Sequence, residues 1–301
     1  MLKIITCYNL YMMTLREYIL EYEKQGRAIG HFNITTIDML WGVFNAAQRF
    51  SDQIGEKVPV IIGTSEGEGD FFGAKQFVDI IKSLREQYDY PVFSNADHIH
   101  DVVRAKEAVE FGYDMVIIDG ADKSFEDNIE MARSVVLYRN EIDSETLIEA
   151  ELGYIGAGSS IKDVLPEEVQ EAPMTNPEEA DRFVHESGID LIAPAVGNVH
   201  GVIKSGNPRL DPERVTAVRK QGGVPLVLHG GSGSKDEDFT AVIKAGISVV
   251  HISTELRVAY RAALDKAMAE NESTTPYKYM KGVRDAVQAV VEKRIQLFYG
   301  E

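Results

Sequence analysis

Short apolar runs and amphipathic segments alternate along the chain. The runs are AIGHFNI (28 to 34), VPVIIGTS (58 to 65), PVFSNADH (91 to 98), MVIIDGA (115 to 121), TLIEAELG (146 to 153), LIAPAVG (191 to 197), PLVLHGG (225 to 231) and ISVVHISTE (247 to 255). Each is too short to be a helix and lacks a polar face, as expected for strands buried on both sides. Between them, GAKQFVDIIKSLREQ, VVRAKEAVEFG and NPEEADRFVHESG repeat apolar residues every three to four positions. Glycines in FG, SG, QGG and AG stand where such helices would stop. Strict alternation of strand and helix predicts a parallel sheet with right-handed crossovers. Eight units fit one (β/α)8 TIM barrel, with an extra N-terminal helix over TLREYILEYEKQG, N-capped by Thr14, and helices after the last strand. A doubly wound open sheet is the alternative the alternation leaves open. Residues 1–13 are expected to be an N-terminal extension, with Met13 an alternative start, and 14–301 a single barrel domain.

In a barrel of this kind the ligand site lies at the C-terminal ends of the strands. The polar residues there are His31, Asn33, Thr64, Ser65, Asp97, His98, Asp119, Glu149, Glu151, Asn198, His200, His229, His251, Ser253, Thr254 and Glu255. Three histidines, His98, His200 and His229, end the third, sixth and seventh runs. Three neutral imidazoles with an open position suit zinc, and Asp97 beside one of them could exchange a proton with a ligand. Asp97 and His98 would face opposite ways on a regular strand, so both reach one site only if the backbone turns there. His185 is expected to be structural, and His100 opens the next helix. HGGSGSKDEDF leads from the seventh run into a helix marked by Ser234 and acids, a backbone suited to a phosphate, with the Ser253 and Thr254 hydroxyls nearby.

Composition narrows the partners. Among 301 residues, 48 acids outnumber 31 lysines and arginines, a net charge of -17, which argues against nucleic acid or an anionic membrane as partner. The single Cys7 permits no internal disulfide and fits a reducing cytoplasm. The first twelve residues are too short to span a bilayer and lack a cleavage site. The protein is therefore expected to be cytoplasmic.

GHFNI, GTSEG, Asp97-His98, MVIIDGA, EAELG, APAVGNVHG, LVLHGGSG and STEL, in this order, resemble the class II, zinc-dependent ketose-bisphosphate aldolases of the fructose-bisphosphate and tagatose-bisphosphate type. The resemblance runs from about Thr14 to the C-terminus. It implies cleavage of a ketose 1,6-bisphosphate, foremost fructose 1,6-bisphosphate, into dihydroxyacetone phosphate and glyceraldehyde 3-phosphate through a zinc-stabilised enediolate. Tagatose bisphosphate or another phosphorylated ketose is the alternative. His98, His200 and His229 would hold Zn2+ or another divalent ion, Glu151 would be an alternative ligand, and Asp97 the acid/base. Gly201, Gly230, Gly231, Ser232, Ser253 and Thr254 would cradle phosphate, with a monovalent cation near Gly201 and Gly230. Asn33, Ser65 and His251 would border the substrate. The resemblance also implies a glycolytic role and a homodimer or homotetramer.

The chain departs from that family at three places. Ser159 and Ser160 stand where a mobile-loop carboxylate carries a proton, leaving Asp163, Glu167 and Glu168 as the nearest loop acids. Val249 and His251 replace a lysine and an asparagine. Val202 and Ile203 stand where proline or an aromatic is frequent. The connection from Gly153 to Asn176 is expected to be a lid, and Lys204 and Arg209 are candidate contacts for a second phosphate. Two other classes remain: a non-catalytic sugar-phosphate or metal-binding homologue, and a barrel metallohydrolase built on His98-Ile99-His100.

Overall fold

A computed structural model describes residues 12–301; Cys7 and residues 1–11 of the expected extension lie outside the described residues. The strands are β1 (Ile29–Asn33), β2 (Val60–Ser65), β3 (Val92–Ile99), β4 (Met115–Ile118), β5 (Leu147–Leu152), β6 (Ile161–Lys162), β7 (Leu191–Pro194), β8 (Val202–Ile203), β9 (Leu226–Leu228) and β10 (Ile247–Ile252). Eight of them close a barrel in the order β1-β10-β9-β7-β5-β4-β3-β2, all in parallel register. These eight are the eight apolar runs, so the open-sheet alternative falls. β6 and β8 form a separate two-stranded parallel ladder that no pattern in the chain announces.

The helices between strands are α2 (Ile37–Ile54), α3 (Glu66–Phe72), α4 (Ala74–Tyr88), α5 (Val102–Phe111), α6 (Phe125–Glu141), α7 (Glu167–Glu171), α8 (Pro177–Ser187), α9 (Pro212–Gly222) and α10 (Asp236–Ala245); α1 (Leu15–Lys24) precedes the barrel, and α11 (Thr254–Glu270) and α12 (Pro276–Tyr299) follow it. Thr14 caps α1 in a capping box with Glu17, which satisfies amide donors that a helix start leaves free. None of the described helices is long and apolar enough to cross a membrane.

Strand alternation divides the core in two. Phe32, Ile62, Val92, Val116, Ile148, Leu228 and Val250 face the surrounding helices. Inside, Ile29, Ile61, Phe93, Met115, Leu147, Leu191, Val227 and Val249 form a closed apolar layer, and Leu15, Ile19 and Tyr22 of α1 plug it from below. Burying each such aliphatic side chain contributes about 1.5–3 kcal/mol. One step further along the strands the interior becomes polar. His31 is fully buried, its Nε2 2.9 Å from Asn95 Nδ2, and its ring fills the space where a side chain on Gly63 would sit. The floor is thus apolar, while the layers above it carry ionisable groups.

Candidate active site

At the top of the barrel a cavity of about 320 Å³ is lined by Asn33, Ser65, Asp97, His98, His200, Gly201, His229, Gly230, Gly231, Ser232, His251, Ser253 and Thr254, together with Glu68, His100, Asp119, Arg257 and Gly156 to Ser159 of the β5–α8 connection. The β3 backbone breaks its alternation here. His98 adopts a left-handed conformation with φ 49°, and the β3–β4 register slips between Ala96 and Ile99. Such a conformation is uncommon outside glycine, and a bulge re-aims a side chain. The turn required of the Asp97-His98 pair is present, and both side chains line the same cavity.

Donor atoms of His98, Glu151, His200 and His229 lie within 4.8 Å of one another. Carboxylates set two of the tautomers. His98 Nδ1 donates to Asp119 Oδ2 at 2.7 Å, and His229 Nε2 donates to Glu149 Oε1 at 2.8 Å. The remaining nitrogens, His98 Nε2 and His229 Nδ1, then face each other at 3.0 Å. Glu151 Oε2 stands 3.4 Å from His229 Nδ1, buried and without a hydrogen-bond partner. Converging ring nitrogens, an orphaned carboxylate oxygen and carboxylates behind the imidazoles are an arrangement that suits a divalent metal once the nitrogens are deprotonated. The residues present therefore fit the ion.

The same cluster perturbs its own ionisation. Burial opposes charge on His98, but Asp97, the Asp119 hydrogen bond and Glu151 outweigh it and raise the imidazole to about 10. Burial, reinforced by Asp119, pushes Glu151 up to about 7. Asp97 is fully buried, yet the neighbouring His98 and then His251 hold it well below the carboxylate range. His251 is pushed down to about 3 by burial and by His229, and His31 is lowered by burial and by His251. The neutral rings stack, His31 on His251 at 3.5 Å between centroids and His251 on His229 at 4.2 Å. His251 Nδ1 lies 3.4 Å from Asp97 Oδ1, and neither ring nitrogen of His251 has a hydrogen-bond partner.

A family model described as fructose-bisphosphate aldolase class-II matches residues 13–301. The chain belongs to the class II fructose-bisphosphate aldolase family. This aldolase is 32% identical to "Fructose-bisphosphate aldolase" of Helicobacter pylori, over 93% of this chain and 96% of the relative. It is 33% identical to "Fructose-bisphosphate aldolase" of Geobacillus stearothermophilus, over 95% and 96%. Among solved structures it is similar to the YdjI aldolase of Escherichia coli K12, with a TM-score of 0.80 and 30% identity over 95% of this chain and 97% of that one.

The segment expected to cradle a phosphate is built differently in one respect. The helix entered by HGGSGSKDEDF is α10, capped by Lys235 rather than marked by Ser234, and neither residue lines the cavity. The helix N-terminus at the cavity is that of α11, with Ser253 at its N-cap, because β10 ends directly beneath the rim. Ser232 Oγ accepts from the Ser253 and Glu255 amides, both at 3.3 Å, and Thr254 Oγ1 is buried without a partner. Lys204 and Arg209 do not line the cavity: Lys204 pairs with Asp163 at 2.7 Å on the surface, and the exposed Arg209 pairs with the buried Asp238 at 2.6 Å.

Arg257, which sequence reasoning missed, does line the cavity, and its Nη2 donates to the Ser159 carbonyl at 2.6 Å. It lies one helical step beyond STEL, where a charged residue looks like an ordinary helix surface. Glu68, also missed, follows Ser65 in the S-x-x-E pattern of a capping box. The expected lid is docked through β6 against β8, and it presents Gly156 to Ser159 to the cavity. Asp163, Glu167 and Glu168 do not line it. His185 is exposed on α8, away from the cavity.

Proposed function

We propose that the chain is a divalent-metal-dependent aldolase that cleaves a phosphorylated ketose into dihydroxyacetone phosphate and an aldehyde. The convergence of His98 Nε2 and His229 Nδ1 beside the orphaned Glu151 Oε2 carries this reading. His98, His200 and His229 would hold the ion, zinc in the first instance, with Glu151 as alternative ligand; when bound it supplies Lewis acidity for the ketone and the charge left by carbon–carbon cleavage.

The protein's own groups account for the rest. Asp97 is ionised and its Oδ2 accepts from Asn33 at 2.7 Å, so it is placed to take the C4 hydroxyl proton. The electron pair of the C3–C4 bond then moves to the triose half, the aldehyde leaves, and C3 regains a proton to give dihydroxyacetone phosphate. The neutral His251 has a ring nitrogen free to hydrogen-bond a substrate oxygen. Gly230 to Ser232, Ser253 and Thr254 surround the phosphate, with the α11 N-terminus behind it.

Fructose 1,6-bisphosphate, the substrate in the relatives' names, and tagatose bisphosphate share this phosphorylated head. Chelation by EDTA is expected to abolish release of triose phosphate and zinc to restore it. Undiminished turnover after metal removal, or in His98→Ala, His200→Ala and His229→Ala variants, would exclude this site.

A further inference from the structure

The cavity wall above β1 and β2 carries a carboxylate, that of Glu68. Glu68, in the first turn of α3, accepts through Oε2 from the Ser65 amide at 2.9 Å and from Asn33 Nδ2 at 3.2 Å, and through Oε1 from Thr35 Oγ1 at 3.4 Å. Asn33 Nδ2 also donates to Asp97 Oδ2 at 2.7 Å. The two amide hydrogens of Asn33 are therefore both engaged by carboxylates, and what it offers a ligand is Oδ1, an acceptor. His100 Nδ1 lies 3.2 Å from the Asp119 carbonyl, to which it donates. Among the described residues, the lysine or arginine lining this cavity is Arg257 of α11, which follows β10, the strand paired with the other edge of β1, and its Nη2 is engaged by the Ser159 carbonyl.

We propose that Glu68 sets the aldehyde specificity of this aldolase, selecting an uncharged, polyhydroxylated aldehyde over a phosphorylated one. The inference rests on the aldolase reading above. Hydroxyl groups of such an aldehyde donate to Glu68 and to Asn33 Oδ1. A phosphate brought to the same wall meets a part-buried carboxylate of like charge and gives up hydration beside it. Buried polar groups that pair with one substrate and not its analogue are an effective source of discrimination. Glu68 also serves the capping box of α3, a role glutamine fills equally well. Charge and cap can thus be separated.

The test is condensation by the zinc-loaded enzyme of dihydroxyacetone phosphate with D-glyceraldehyde and with D-glyceraldehyde 3-phosphate, comparing kcat/KM. The wild type is expected to favour the uncharged aldehyde by about tenfold or more, and Glu68→Gln to move that ratio about tenfold toward the phosphorylated one. A wild-type preference for glyceraldehyde 3-phosphate, or a ratio unmoved in a folded Glu68→Gln variant, overturns the role of Glu68 alone. Absence of condensation with both aldehydes overturns the aldolase reading as well.

Discussion

Ser159 Oγ lies 3.3 Å from Nδ1 of His200. One residue of the β5–α8 connection thus touches an imidazole of the four-residue donor cluster, at a position where the resemblance implies a loop acid. The hydroxyl holds a ring nitrogen instead of supplying a carboxylate, and Arg257 holds the same residue by its carbonyl. Replacing Ser159 with Ala should weaken zinc binding about tenfold, in line with the loss of a partner behind a metal-binding histidine. Competition with a chromophoric chelator would measure it, and an unchanged affinity would show that the contact does not orient His200.

Asp119 and Glu149 stand behind His98 and His229. Asp119→Asn and Glu149→Gln each keep the shape but weaken the acceptor and release the tautomer. Each is expected to cost about 10–100-fold in metal affinity, with turnover largely regained at saturating zinc. Titrating activity against free zinc separates this outcome from a lost catalytic group, which saturation would not rescue.

Gly201 has φ 95°, and a Cβ there would meet the Ser160 carbonyl oxygen at 2.1 Å. Gly201→Ala therefore forces the connection away from the strand that follows His200. A loss of about 1–3 kcal/mol in stability is expected from the backbone conformation alone. Thermal unfolding would read it, together with a drop in zinc affinity if the displaced segment carries Ser159 with it.

Alkaline stability should depend on Tyr113. Burial raises its hydroxyl to about 12, against about 10 in an unfolded chain. The neutral form is kept in the folded state, so its contribution is intact below pH 10 and is lost as pH rises toward 12. The decline amounts to about 1.4 kcal/mol per pH unit across that window. Tyr113→Phe should flatten the fall in stability between pH 10 and 11 measured by denaturant unfolding; an identical slope would assign the loss elsewhere.

The barrel was legible because all eight strands are buried on both faces, which turns each into a continuous apolar run closed by a polar residue. The histidines were legible for the same reason, since they end those runs. Their tautomers were not: Asp119 and Glu149 are visible as rim acids, but which nitrogen each one engages depends on strands distant in sequence. β6 and β8 are two residues each and carry no periodicity, so the docking of the lid could not be read. α10 looked like the anion-binding helix because glycines precede it. The chain takes a further turn after Ser232, and α11, which starts directly from β10, occupies that place instead.

The β6–β8 ladder ties the connection to the segment that begins at His200: Val202 N donates to the Ser160 carbonyl at 3.0 Å, Lys204 N to Lys162 at 2.9 Å, and Lys162 Nζ to the His200 carbonyl at 3.1 Å. The ladder thereby sets where the Gly156 to Ser159 stretch lies against the cavity. Two pairs of residues, remote from the strands of the barrel, act as the hinge pin of one wall: whatever pulls them apart releases Ser159 from His200 and the Arg257 contact with it.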